Sequence, residues 1–152
     1  MSKVITIANF KGGVGKSTLT EILAYIHSEK MNKKVLVIDT DPQTNVTDKL
    51  FRTFRKEVTD MPKEEDRLMG AIKQADLTKA VVSMSDNLDL MVGDWHVETF
   101  QDTLIGLDKK ARYYLLHTLL KDITPNYDYV FIDTRPSTDL MKNNAICASD
   151  YV

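Results

Sequence analysis

The sequence of 152 residues holds one cysteine, Cys147. A single thiol excludes any disulfide framework within the chain and fits a reducing compartment. No apolar run approaches the roughly 18 residues that a helical membrane span needs. The opening residues lack a basic stretch followed by an apolar one, so no secretory leader is expected. Repeats, low-complexity tracts and linkers are absent too. The three histidines, His27, His96 and His117, have no ligand-like spacing, which argues against a histidine metal centre. Nor is there an excess of either charge, since the net value is −2. That balance hides an asymmetry: residues 1–56 carry 10 lysines and arginines against 5 acidic residues, and residues 57–152 carry 10 against 17. A basic first segment attracts phosphates, but solvated helix faces explain most such lysines, so charge alone makes no case for a nucleic-acid partner.

What is present reads as an alternating pattern in one unit spanning residues 1–152. Val4 to Ala8 is a short β-branched strand that ends at a glycine loop. Leu19, Ile22, Leu23 and Ile26 then recur at i, i+3, i+4 and i+7, an amphipathic helix. Val35 to Ile38 is a second fully apolar strand, ending at Asp39. Strand, loop, helix and strand in this order form a βαβ unit with parallel strands. Further on, Asn45–Phe54 reads as a short helix with a basic end, Leu88–Val92 and Tyr129–Ile132 as strands, and Thr138–Ala148 as a helix. Val97, Phe100 and Leu104 have helical spacing, as do Leu115, Leu119, Leu120 and Ile123. Val81-Val82 is too short to assign, Trp95 and Phe100 read as core, and Cys147 as a buried thiol. Ser149 to Val152 looks like the turn into a further strand, so the chain is expected to be truncated at its C-terminal side. The expected fold is α/β: a doubly wound, mainly parallel sheet flanked by helices.

The chemistry concentrates in KGGVGKST, residues 11–18. Gly12, Gly13 and Gly15 let the backbone bend so that its N–H groups, with that of Val14, face an anion. The helix beginning near Lys16 adds its positive dipole end. Lys16 is placed to reach β- and γ-phosphates, Ser17 to offer its hydroxyl to Mg²⁺, and Thr18 to add a hydrogen bond. This context of strand, loop and helix makes the segment a nucleotide-binding loop. In open parallel sheets ligands sit beyond the carboxyl ends of the strands. Asp39 and Asp133 end two such strands, and Asp133, after four apolar residues, suits a Mg²⁺ held through water. Asp41, two residues beyond Asp39, is placed to orient an attacking water. Structural roles stand beside these: Asp39 as a strand-end cap, Asp41-Pro42 as a turn starter.

KGGVGKST, together with DTDPQTN at 39–45 and FIDTRPS at 131–137, resembles the ParA branch of deviant Walker ATPases, which segregate plasmids and chromosomes. The resemblance runs from Val4 to Val152 and implies that the chain is the N-terminal portion of a longer P-loop ATPase domain. It implies ATP and Mg²⁺ as cofactors and hydrolysis to ADP and phosphate. Lys11 matches the family's signature lysine, which reaches the phosphates of ATP across a dimer interface; Asp41 matches the water-positioning aspartate, and Asp39 and Asp133 the acidic positions around magnesium. The implied partners are a second copy of the chain, a ParB-type centromere-binding adaptor and nonspecific DNA, in the cytoplasm and on the nucleoid.

Three features depart from the family pattern. Phe10 stands where a polar residue is usual, Arg135-Pro136 replaces a pair of prolines, and the C-terminal part that carries adenine contacts and basic DNA surface is missing. Rival readings follow from the same motif. A membrane-recruited relative, MinD, shares KGGVGK but lacks the string Asp41-Pro42-Gln43-Thr44-Asn45. An iron–sulfur relative needs two cluster cysteines per subunit, and this chain has one. An ATP-gated regulator with little turnover is left open by sequence.

Overall fold

The computed structural model describes residues 1–152. In chain order its elements are β1 (Lys3–Ile7), α1 (Lys16–Tyr25), β2 (Val35–Asp39), α2 (Asn45–Thr53), α3 (Leu68–Lys73), β3 (Val81–Ser85), β4 (Leu88–Met91), α4 (Phe100–Thr103), α5 (Lys109–Leu120), β5 (Tyr129–Asp133) and α6 (Leu140–Cys147). A π-helical turn, Ile26–Lys30, extends α1. The strands form one sheet in the order β1-β5-β2-β4-β3. All neighbours are parallel except β3 and β4, which pair antiparallel.

The continuous apolar runs of β2 and β5 are explained by burial on both faces, as parallel sheets with helices on each side require. Alternate residues go to opposite layers. Leu36, Ile38, Val130 and Ile132 enter one core with Met141 and Ala145 of α6 and Leu116 of α5. Val35, Val37 and Phe131 enter the other with Ala24 of α1 and Val46 and Leu50 of α2. This fold class is the one the sequence indicates. Register then places Ile7 beside Asp133, and Asp133 beside Asp39, at one edge of the sheet. Two acidic strand ends and the glycine loop after β1 therefore meet at the crossover point where α/β sheets bind ligands.

Several local expectations are corrected. In α1, Leu19, Ile22 and Ile26 are exposed, whereas Thr20 and Ala24 are buried. Small residues on that face let the helix lie close to β5, so the apolar stripe points outward. Val81-Val82 opens a real strand, β3, joined to β4 through the short turn at Asp86-Asn87, with an irregular register between Ser83 and Ser85. Trp95 is exposed and stacks on His96, while Phe100 is buried. Cys147 is half-buried rather than sealed in the core. At the other end of the pattern, Tyr151 bridges to Ile5 in parallel, and its carbonyl accepts from Thr6 N at 2.9 Å along the outer edge of β1.

Candidate functional site: a phosphate cavity at the strand ends

The loop between β1 and α1 turns through two left-handed glycines, Gly13 (φ 67°) and Gly15 (φ 88°). A side chain at either would be strained, which is why the turn is written in glycine. Gly12 is not demanded by space or by backbone angle: a Cβ there would lie 3.5 Å from Cγ of Pro136, in ordinary contact. Asn9 fastens the entry, its Oδ1 accepting from Lys11 N at 2.9 Å. Lys16 folds back over the loop, its Nζ donating to the Lys11 carbonyl at 3.4 Å. Lys11 itself is exposed.

Around this loop lies an open cavity of about 500 Å³. Gly12 to Thr18 form its floor, Asp41 and Gln43 one wall, and Lys49, Glu98 and Arg135 complete it. Its size is that of a small-ligand site, and its lining is largely backbone and polar groups, as a phosphate site requires. All eight loop residues singled out in sequence except Lys11 line it, and so does Asp41.

Behind the floor sit the strand-end carboxylates. Asp133 is fully buried; its Oδ2 accepts from Ser17 Oγ at 2.7 Å and its Oδ1 from Thr20 Oγ1 at 3.0 Å. Burial raises its pKa above the ordinary carboxylate value, against the lowering effect of those two hydroxyls. Ser17 lines the cavity and Asp133 stands directly behind it, a hydroxyl–carboxylate pair that suits Mg²⁺, which keeps most of its waters and takes few protein ligands. Asp39 is also fully buried, but it does not line the cavity. Its Oδ2 accepts from Thr47 N at 3.0 Å and Thr47 Oγ1 at 2.6 Å, and its Oδ1 from Asp41 N at 3.1 Å. It thereby ties the end of β2 to the first turn of α2. Burial, with Asp133 adding charge repulsion, pushes its pKa to about 7 in spite of these bonds. Asp41 makes the turn that its structural reading expects, its Oδ1 accepting from Gln43 N at 2.9 Å, and it also faces the cavity.

Lys142 and Glu98 come from distant segments and carry no motif. Lys142 of α6 is buried, donates from Nζ to the Asn9 carbonyl at 3.2 Å and lies 4.1 Å from the Phe10 ring centre. Phe10 is thus the aromatic lid of a buried ammonium whose pKa is held below the usual lysine value by desolvation, then by nearby Lys16. Arg135 is neither free nor simply solvated: Asp139 and Glu98 hold its guanidinium. No local sequence signal marks Lys142 or Glu98, because each reaches the site only through tertiary packing.

A family model described as an AAA domain matches residues 2–152. The chain is 36% identical over 158 residues to the sporulation initiation inhibitor protein Soj of Bacillus subtilis, covering 100% of this chain and 57% of Soj. It is 36% identical over 155 residues to the chromosome partitioning protein ParA of Caulobacter vibrioides, covering 99% of this chain and 54% of that protein. Among solved structures, a plasmid partition protein from Borrelia burgdorferi superposes with a TM-score of 0.85 at 35% identity, covering 99% of this chain and 64% of that one. The chain therefore spans a little over half the length of these curated relatives. Sheet order, loop geometry and these likenesses agree: the chain belongs to the AAA-domain family, in its ParA-type branch of P-loop ATPases.

Proposed function

We propose that this chain carries the nucleotide switch of a DNA segregation ATPase, one that dimerises on ATP, binds DNA nonspecifically and hydrolyses ATP when a ParB-type adaptor stimulates it. The observation that carries the reading is the division of the two loop lysines. Lys16 folds over its own loop and lines the cavity, whereas Lys11 is exposed and does not line it. In this reading Gly12 to Thr18 bind the phosphates through backbone N–H groups, and Lys16 neutralises the β- and γ-oxygens. Ser17 and Asp133 would hold Mg²⁺, which neutralises charge on the phosphates when bound, and Asp39 keeps the first turn of α2 and the backbone of Asp41 in place. Asp41 orients the attacking water.

Lys11 then serves a second copy of the chain. A cation supplied in trans to a transferring γ-phosphoryl group accelerates hydrolysis by about 10³–10⁵. It also couples hydrolysis and dimerisation, because neither copy is complete alone. The likeness to partition proteins, one of them solved bound to AMPPNP, supports this reading. The basic test is Mg²⁺-dependent binding of ATP to the chain and to Lys16→Ala. The reading expects binding by the first and a loss of at least tenfold in the second, since a charge-assisted phosphate contact is worth about 1.5–3 kcal/mol. Equal binding by both would contradict it.

A further inference from the structure

Arg135 occupies a place where the family pattern has proline, and the structure gives it a specific setting. It lines the phosphate cavity, two residues after Asp133. Its Nε donates to Asp139 Oδ2 at 2.6 Å, and Asp139 is itself fixed by Ser137 Oγ at 2.8 Å and by Lys142 N at 2.9 Å. Those hydrogen bonds outweigh burial and hold the Asp139 carboxyl below its ordinary pKa, so it is a charged anchor. The outer edge of the guanidinium is less committed. Its only other partner is Glu98 Oε1, at 3.5 Å from NH1. The Glu98 side chain is 62% exposed, and a long, solvated pair of this kind costs little to break.

The segment's position decides which phosphate this edge meets. Gly15 to Thr18 open α1 and grip the inner phosphates, and Lys16 and Ser17 mark the β–γ boundary. In the nucleotide reading above, the terminal phosphate would lie on the side of the cavity lined by Gly12, Asp41 and Arg135. Arg135 and Pro136 line the same cavity as Gly12 and Asp41. A guanidinium anchored through Nε keeps its other N–H groups in a rigid fork suited to phosphate oxygens.

We propose that Arg135 is a specificity residue for the terminal phosphate, held in place by Asp139 and exchanging Glu98 for the γ-phosphate when ATP, rather than ADP, occupies the cavity. Glu98 acts as an internal stand-in for that phosphate and lowers the affinity for ATP until it is displaced. The inference rests on the nucleotide reading above.

The test compares AMPPNP with ADP, both with Mg²⁺, by displacement of a fluorescent nucleotide. It uses a Lys11→Ala background, so that dimer formation does not add to the affinity. Arg135→Gln should weaken AMPPNP about tenfold and leave ADP within about twofold. Arg135→Lys, which keeps the charge but loses the fork, should fall between. Glu98→Gln should strengthen AMPPNP several-fold and leave ADP unchanged, a gain that no folding defect can imitate. An Arg135→Gln protein that keeps the preference of its parent, or that loses both nucleotides equally while Glu98→Gln changes neither, overturns the role of Arg135 alone. If the parent binds neither nucleotide, the nucleotide reading falls and this inference with it.

Discussion

Asp39 offers the sharpest link between the buried end of the sheet and a solution measurement. Its carboxyl is fully buried, and its pKa is raised from 3.8 to about 7. The folded protein thus binds this proton more tightly than the unfolded chain does. By linkage, the stability from that proton is complete below the unfolded pKa and is lost as pH rises through the folded one. At about 1.4 kcal/mol per tenfold, the loss between pH 4 and pH 8 is on the order of 4 kcal/mol. Asp39→Asn cannot titrate, so the effect is isolated by subtraction. Urea unfolding of both proteins, at steps from about pH 4 to about pH 8, should show the difference moving steadily against the natural carboxylate. It should level off above the folded pKa. Thr47 Oγ1 donates to the same carboxylate and lowers its pKa, so Thr47→Val should push the transition to higher pH. A difference that is flat with pH, or that moves in favour of the carboxylate, refutes the argument that burial dominates at this position.

Other expectations follow from the same geometry. In Gly93→Ala the new Cβ would stand 2.7 Å from the Asp39 carbonyl oxygen and 3.0 Å from its Cγ, so denaturation should show a loss of about 1–3 kcal/mol; an unchanged midpoint would contradict that contact. Thr20→Val removes a buried donor from Asp133 at nearly constant volume. It should cost about 1–3 kcal/mol near neutral pH and less in acid, where Asp133 is protonated; an equal cost at both would be against this. In a version lengthened at the C-terminal side, retention of duplex DNA should require ATP and fall steeply between about 50 and 200 mM salt, because each neutralised phosphate releases counterions, and residues 1–152 alone should retain it less well. Retention indifferent to nucleotide or salt would contradict the segregation cycle.

The sequence carried the parts of this protein that depend on local chemistry. The apolar runs ending at Asp39 and Asp133 could be only strands buried on both faces, and Gly13 and Gly15 are where the chain takes left-handed turns. What it misled about is orientation. The periodicity of Leu19, Ile22 and Ile26 located α1 but gave it the wrong inward face, because contact with β5 favours the small Thr20 and Ala24 over bulk. The hairpin of β3 escaped because two valines make a weak run and Asp86-Asn87 lacks the glycine that marks a favoured two-residue turn. Lys142, Glu98 and Asp139 were illegible as site residues. Lys142 and Glu98 reach the site from far along the chain, and Asp139 acts on it through Arg135, by tertiary packing that no spacing rule encodes.

The central claim is that Lys16 serves its own nucleotide and Lys11 the neighbour's. Light scattering coupled to size-exclusion chromatography, run with AMPPNP or ADP on the chain and on Lys11→Ala, tests it directly. The account predicts a dimer only for the unaltered chain with AMPPNP, and a monomer for Lys11→Ala that still binds nucleotide. A Lys11→Ala chain that dimerises as its parent does, or a parent whose mass ignores the nucleotide, would contradict it.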